Sequence, residues 1–372
     1  MTMWLIIMVL TLLITAISLL YLAGRVRKFS FINNSDIKPW RKYLRGFLLV
    51  FFAFATIGKL LNFVNAIVCI FYLALIWMIC DWGFALAKKF LSFEDKGYIA
   101  GYCAILLTLA ALGIGWYLNH HVWQTEYTFV SDKIQKPLKI VMFADSHTGT
   151  TFKAEGFAKH IVEMQKQNPD LVIVAGDFVD DDTSKEDMIA TCNSLGKLKT
   201  KYGVYFVFGN HDEGYYGRDY RGYSGLDLVN ELKKNKVIVL EDESKLIDNS
   251  FYIIGRKDAS ADREHRGGRR KMVDLVRPLN KNKYIIVADH QPNDYDNQAK
   301  AEVDLVLSGH THGGQLFPLN QVGKWIGAND LVYGHEKRNK TDFIVTSGIS
   351  DWTIKFKTGT KSEFVIINIE PK

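Results

Sequence analysis

Cysteine is scarce. Of four in 372 residues, Cys69, Cys80 and Cys103 fall in apolar stretches and Cys192 stands alone in the polar part, which argues against a disulfide framework or a thiolate metal site. Acid is nearly missing from the first third: residues 1–124 carry 11 Lys and Arg against four Asp and Glu, and the remainder carries 35 against 36. The overall charge of +6 therefore belongs to a hydrophobic region, where it reads as membrane topology. The near-neutral remainder lacks the basic footprint of a nucleic-acid-binding protein. No Lys or Arg precedes Arg25, so the charged start of a cleaved signal peptide is missing as well. Internal repeats and low-complexity tracts do not occur.

Long apolar runs are what the first third has instead. A helix needs about 20 apolar residues to cross a hydrocarbon core of about 30 Å. Residues 3–24, 43–60, 64–87 and 99–118 meet or approach that length, so 1–119 is expected to be an all-α transmembrane region of four spans. Lys59, Asn62 and Asn65 mark a hairpin turn inside the stretch 43–87. The second span is the shortest, with 13 residues between Arg45 and Lys59. Arg25, Arg27, Lys28, Lys38, Arg41, Lys42 and Arg45 crowd the first loop, and Lys88, Lys89 and Lys96 the third. Positive charge stays cytoplasmic, which puts everything after Leu118 on the other side. Were 43–87 a single span, the last section would flip inward, but Lys88 and Lys89 would then lie outside. Asp81 beside Trp82 reads as an interfacial acid near a span end rather than a functional intramembrane acid.

From residue 120 to 372 the pattern changes to short apolar runs alternating with amphipathic stretches, with "TEYTFVSDKIQKP" as connector. "KIVMFA", "LVIVA", "VYFVF", "YIIVA" and "VDLVLS" are rich in β-branched or aromatic residues and read as strands, as do "DFIVTSG" and "EFVIINIE". Helical patterns such as "AEGFAKHIVEMQKQ" and "KEDMIATCNSLGKLKTKY" lie between the first three. That alternation predicts an α/β domain with helices on both faces.

Each buried strand runs into polar, metal-binding residue types: "ADSH", "AGDF", "FGNHD", "ADHQP" and "SGHTH" in chain order. In an α/β sheet, ligands collect beyond the carboxyl ends of the strands, so residues scattered in sequence can meet in one pocket. Asp145, His147, Asp177, Asn210, His290, His310 and His312 combine hard oxygens with imidazole nitrogens, a set suited to two divalent first-row metals. Gly309, Gly313 and Gly314 relax the backbone around His310 and His312, so the two rings can reach different ions.

On these residues the sequence resembles the calcineurin-like metallophosphoesterase superfamily, whose pattern appears here as "DSH", "GDFVD", "GNHD", "DHQP" and "GHTHGGQ" over residues 137–370. With its apolar start, it is similar to the bacterial membrane-anchored subgroup, among which are pyrophosphohydrolases acting on UDP-diacylglucosamine. The resemblance implies a two-sheet β-sandwich flanked by helices and, taken with the four spans and the loop charges, a multi-pass protein of the bacterial cytoplasmic membrane with an extracytoplasmic catalytic domain. It implies that Asp145, His147 and His312 bind one metal, that Asn210, His290 and His310 bind the other, and that Asp177 bridges them. His211 would face the substrate phosphate and Asp212 would orient it. Purple acid phosphatases place a tyrosine where this chain has Asp180, so a tyrosinate-iron chromophore is not expected.

The chemistry implied is attack of a metal-bridging hydroxide on phosphorus, with His211 supplying a proton to the leaving group. Manganese is favoured, with iron, zinc or cobalt as alternatives. "YYGRDYRGYSG", residues 215–225, offers Tyr216, Arg218 and Arg221 as substrate contacts, against the plainer reading of a solvated loop. "GRKDASADREHRGGRRK", residues 255–271, reads as a basic loop leading into a helix rather than as an anion-binding surface. The expected partners are the membrane and a phosphate-containing substrate, a lipid or nucleotide-lipid among the candidates, with no nucleic acid. A soluble-nucleotide phosphodiesterase is the nearest alternative function, and a non-catalytic metal-binding receptor or scaffold the alternative of another class.

Overall fold

The structure, a computed structural model, describes residues 2–91, 97–263 and 268–372. Lys96 and residues 264–267 of the basic loop lie outside the described residues. The chain divides into two compact units, Met1–Gly115 and Trp116–Lys372.

Among the described residues four helices, Leu5–Val26, Pro39–Leu60, Phe63–Phe90 and Ile99–His120, are long and apolar enough to cross a membrane. Leu12, Phe52, Leu106 and Leu109 are exposed, part of an apolar surface far larger than water-soluble proteins tolerate. The second helix starts earlier than expected because Pro39 fits a first helical turn, where its missing N–H costs nothing. Arg41 and Lys42, expected before the span, thus join Arg45 in the first two turns of a 22-residue helix. At the hairpin, Asn62 Oδ1 accepts the backbone N–H of Asn65 at 2.8 Å and starts the third helix. That helix is the most buried of the four, with Trp77 fully enclosed. A Cβ on Gly46 would stand 2.6 Å from the Ala23 carbonyl oxygen, so the small residue lets the first two long helices close on each other. Asp81 is more deeply engaged than an interfacial acid. Its carboxylate meets Arg25 Nε at 2.9 Å and accepts from the hydroxyls of Tyr98 at 3.1 Å and Tyr21 at 3.3 Å.

Among its described residues the second unit contains twelve strands: β1 Val122–Ser131, β2 Leu138–Phe143, β3 Leu171–Ala175, β4 Val204–Val207, β5 Val237–Val239, β6 Glu243–Ile247, β7 Phe251–Gly255, β8 Tyr284–Ala288, β9 Leu305–Ser308, β10 Gly334–Arg338, β11 Thr341–Val345 and β12 Ser362–Pro371. They form two six-stranded sheets, ordered β1-β12-β2-β3-β4-β5 and β10-β11-β9-β8-β7-β6. β2 through β5 are parallel, as are β7, β8, β9 and β11. Period-two alternation explains the layering. Ile140, Met142 and Ile173 of one sheet meet Ile253, Ile286 and Leu307 of the other. Val141, Phe143, Val172 and Val174 face helices Ala154–Lys166, Lys185–Leu195 and Gly225–Lys234. Ile285, Val287 and Val306 face helices Met272–Val276 and Tyr295–Lys300. Strands covered on both faces are apolar at every position, which is why they read as continuous runs. The result is the expected two-sheet β-sandwich flanked by helices.

The first seven residues of the segment expected as a connector, 125–131, belong instead to β1, and only 132–137 connect it to β2. It pairs in parallel with β12 over ten residues, with Thr125, Tyr127 and Phe129 half-buried and Gln124, Glu126 and Thr128 exposed. Its polar face is that of a sheet edge, and that face hid it in the sequence.

Candidate functional site

The parallel strands of both sheets point their carboxyl ends at one place. β2 delivers Asp145 and His147, β3 Asp177, β4 Asn210 to Asp212, β8 His290, and β9 His310 and His312. Asp145, His147, Asp177, His310 and His312 all take positive φ, at 54°, 36°, 51°, 73° and 48°. Such backbone costs about 1–3 kcal/mol per residue and persists only where surroundings enforce it. Here cross-loop bonds do so: Asp145 N–H donates to Gly176 O at 3.0 Å, His147 N–H to Asp177 O at 3.1 Å, and Gly309 N–H to His290 O at 3.0 Å. Gly313 and Gly314 are also left-handed, at 64° and 70°. Gly309 serves close approach instead, since a Cβ there would stand 2.4 Å from that of Ala144.

Two groups result. Ligand atoms of Asp145, His147 and His312 lie within 4.8 Å of one another, and so do those of Asp177, His290 and His310. Asp177 touches both groups: its Oδ2 lies 3.6 Å from His147 Nε2 and 3.1 Å from His290 Nε2. Both nitrogens are buried without a hydrogen-bond partner in the structure. Asn210 offers a third orphan: its Nδ2 donates to Tyr215 Oη at 2.8 Å, and its Oδ1 is left unsatisfied. Buried polar atoms are normally paired, so lone pairs orphaned in one pocket fit a bound cation. The histidines are set for that task through their other nitrogen. Nδ1–H of His147 donates to Asp180 Oδ2 at 3.2 Å, that of His290 to Ala175 O at 2.7 Å, and that of His312 to Ser350 O at 3.2 Å. This is the usual way a metal site fixes tautomer and ring orientation. Asp351 Oδ1 also stands 3.1 Å from His312 Nδ1, without hydrogen-bonding geometry.

The electrostatics are those of cations and carboxylates crowded out of water. Burial, with His290 beside it, lowers His310 to about 3, and burial does the same at His312. At His147 burial is outweighed by Asp180, Asp177 and Asp145, which raise it to about 9. Burial would raise Asp177, but His290, His211 and His147 hold it well below the carboxylate range. The buried Asp351 rises to about 7 through desolvation, against the pull of Lys357 at 3.9 Å.

Asp212 has a different task from the one expected of it. Its Oδ2 accepts the N–H groups of Gly209 at 2.7 Å and Asp177 at 2.9 Å, and its Oδ1 those of Phe178 at 2.8 Å and Val179 at 3.0 Å. It ties the loop after β3 to the loop after β4 rather than orienting the His211 ring. Burial and the charge of Asp177 push it up to about 7 against those amides. His211 is half-buried, its ring centroid 5.0 Å from that of His147 and 5.1 Å from that of Tyr215. Burial holds it below its ordinary pKa.

The three residues expected to contact substrate separate. Arg221 is buried, its Nη2 donating to Asp212 O at 2.8 Å and its Nε to Tyr223 O at 3.2 Å, so it supports the loop instead of reaching outward. Arg218 and Tyr216 are exposed, the first 3.8 Å from Asp227 and the second packed on Tyr220. In the basic loop, Arg256 is buried and pairs with Asp289 at 3.0 Å and Asp294 at 2.6 Å. Sequence reasoning missed the partners Asp180, Asp351 and Tyr215. Asp180 carried a signal, standing three residues after Asp177, but it was read only for the tyrosine it replaces.

Carboxylate and imidazole donors gathered at the carboxyl ends of a two-sheet sandwich define the class, a metal-dependent hydrolase of phosphoesters. The calcineurin-like phosphoesterase family matches residues 138–314. A metallophosphoesterase of Campylobacter jejuni is 31% identical over 317 residues, which cover 82% of this chain and 79% of that protein. One of Bacillus subtilis is 28% identical over 240 residues, covering 62% of this chain and 82% of its own. A Bos taurus protein named as a transmembrane protein with a metallophosphoesterase domain is 29% identical over 236 residues, 61% of this chain and 51% of its own. The chain belongs to the calcineurin-like metallophosphoesterase family.

Proposed function

We propose that the pocket is a binuclear centre that hydrolyses a phosphate ester or anhydride, and that the four apolar helices hold it at a membrane where lipid-linked substrates reach it. The observation that carries this reading is Asp177 Oδ2, set between two orphaned histidine nitrogens, one from each donor group. Asp145, His147 and His312 would hold one ion, Asn210, His290 and His310 the other, and Asp177 both. Bound divalent ions would supply Lewis acidity toward the phosphoryl oxygens and a water acidic enough to ionise near neutrality. Asp145 and Asp177 balance cationic charge, and the neutral amide of Asn210 leaves the site positive enough for an anion. His211, half-buried beside His147 and held below its ordinary pKa by burial, would give up a proton readily to the leaving oxygen when it carries one. The lysines and arginines between the first two long helices and at the end of the third support a topology with the catalytic unit outside the cytoplasm.

The test uses the full chain in detergent, stripped of metal and reloaded with manganese. Two ions per chain and turnover of a model diester, a monoester or a UDP-linked lipid are expected. Asp177→Asn should lose both ions and turnover, and His211→Ala should keep the ions and lose about 10²–10⁴-fold in rate. Preference for a soluble nucleotide over the lipid would replace the substrate assignment. Two bound ions with no turnover on the panel would favour a receptor over an enzyme.

A further inference from the structure

We propose that the helical unit binds the phosphate headgroup of an anionic glycerophospholipid in a cavity of about 750 Å³ lined by Arg25, Lys28, Asn33, Asp81, Lys88 and Tyr98. This proposal rests on the helices being membrane spans and is independent of the phosphoesterase reading. The cavity lies at the end of the unit where residues 27–38 join the first two long helices and Gly97 and Tyr98 lead into the fourth, which is headgroup depth for a bilayer. Among the described residues that line it are three cations and one carboxylate, and such cationic groups suit a phosphodiester anion. Basic pockets between spans take anionic headgroups for this reason.

The site is built rather than merely charged. Asp81 anchors Arg25 through its Nε at 2.9 Å and is itself held by Tyr21 and Tyr98. Trp77, fully buried, donates its indole N–H to Tyr98 Oη at 2.8 Å, so the wall of the cavity is fastened to the core of the helical unit. Lys28 Nζ stands 5.1 Å from the centroid of the Tyr98 ring, which limits where that charge can go. Asn33 and Ser30 add polar groups for glycerol or phosphate oxygens, and Phe84, Ala85 and Ala100 offer an apolar wall along which acyl chains can leave. Orienting an arginine for an anion gives this carboxylate, with its three partners, a role.

The experiment places the full chain in nanodiscs of phosphatidylcholine, with and without phosphatidylglycerol, and reads retained lipid by native mass spectrometry and unfolding temperature. Phosphatidylglycerol is expected to stay bound and to raise the melting temperature. Binding should weaken about fivefold in each of Lys28→Gln and Lys88→Gln, and Lys28→Arg should bind as the parent does. In pure phosphatidylcholine the three variants should melt with the parent, which separates lost binding from lost folding. Turnover of a soluble diester should not change. Equal retention of phosphatidylcholine overturns the proposal, as do undiminished phosphatidylglycerol binding in both Gln variants and a loss in Lys28→Arg equal to that in Lys28→Gln. Stabilisation by inorganic phosphate equal to that by phosphatidylglycerol would assign the cavity to a free ion and overturn the lipid.

Discussion

Asp180 Oδ2 and His147 Nδ1 lie 3.2 Å apart, both side chains buried, and the pair turns the opposite nitrogen of His147 toward Asp177. Removing the carboxylate leaves a buried N–H without its partner and frees the ring to choose its other tautomer. Asp180→Ala is therefore expected to weaken binding of one ion about 10–100-fold, with Asp180→Asn intermediate, in a metal titration of the apo protein. Unchanged affinity in the Ala variant would show that packing alone orients the ring.

Lys357 is fully buried, its Nζ donating to Ser347 O at 2.6 Å and Ser350 O at 3.3 Å, with Asp351 at 3.9 Å. It is the cation that balances Asp351 behind His312. Breaking such a buried arrangement from one side costs about 3–5 kcal/mol. Lys357→Met should show that loss in urea unfolding, and Lys357→Met combined with Asp351→Asn should recover part of it. A double variant no more stable than the single one would mean that the two charges are not coupled.

Arg221 and Arg218, three residues apart, should behave oppositely. Arg221→Met strands the carbonyls of Asp212 and Tyr223 and should lower stability by about 1–3 kcal/mol, with turnover falling because Asp212 holds two active-site loops. Arg218→Ala should leave the melting temperature where it was and change KM alone if that side chain meets substrate.

His160 supplies a pH dependence remote from the metal donors. Its pKa is lowered to about 4 by burial, against an ordinary 6.5, so protonation disfavours the native state. Its contribution is intact above about 6.5 and is lost as pH falls toward 4, to a total of about 3 kcal/mol. His160→Phe, beside Phe152 at a ring distance of 5.0 Å, should flatten the stability profile between those pH values. An unaltered profile would show that the ring is solvated when charged.

The grouping of the candidate donors was legible because each strand is an apolar run and each of these residues follows its end, so topology converts order in the chain into proximity. The supporting residues were not. Asp351 follows β11 in "SGISDW", where nothing in the local pattern distinguishes it from a turn aspartate, and only the packing of that loop against His312 gives it a role. Arg221 looked like a substrate contact because an arginine between tyrosines in a loop reads as exposed; burial beneath its own loop is a tertiary fact. The resemblance paired Asp212 with His211, yet four backbone amides have a geometric claim on its carboxylate. β1 was hidden because an edge strand needs only half the apolar residues of a central one.

The place of β12 between β1 and β2 sets an order of events for a chain made from its amino end. The first two strands of that sheet to be synthesised do not pair with each other; they wait, more than 200 residues, for the strand latest in the chain to come between them. Glu363 in β12 also accepts the amide of Ser347, next to the turn that carries Asp351. Closure of the sheet, and with it the finished donor pocket, thus waits for β12. A ribosome stalled before residue 362 would hold a chain whose first sheet still has a gap between β1 and β2.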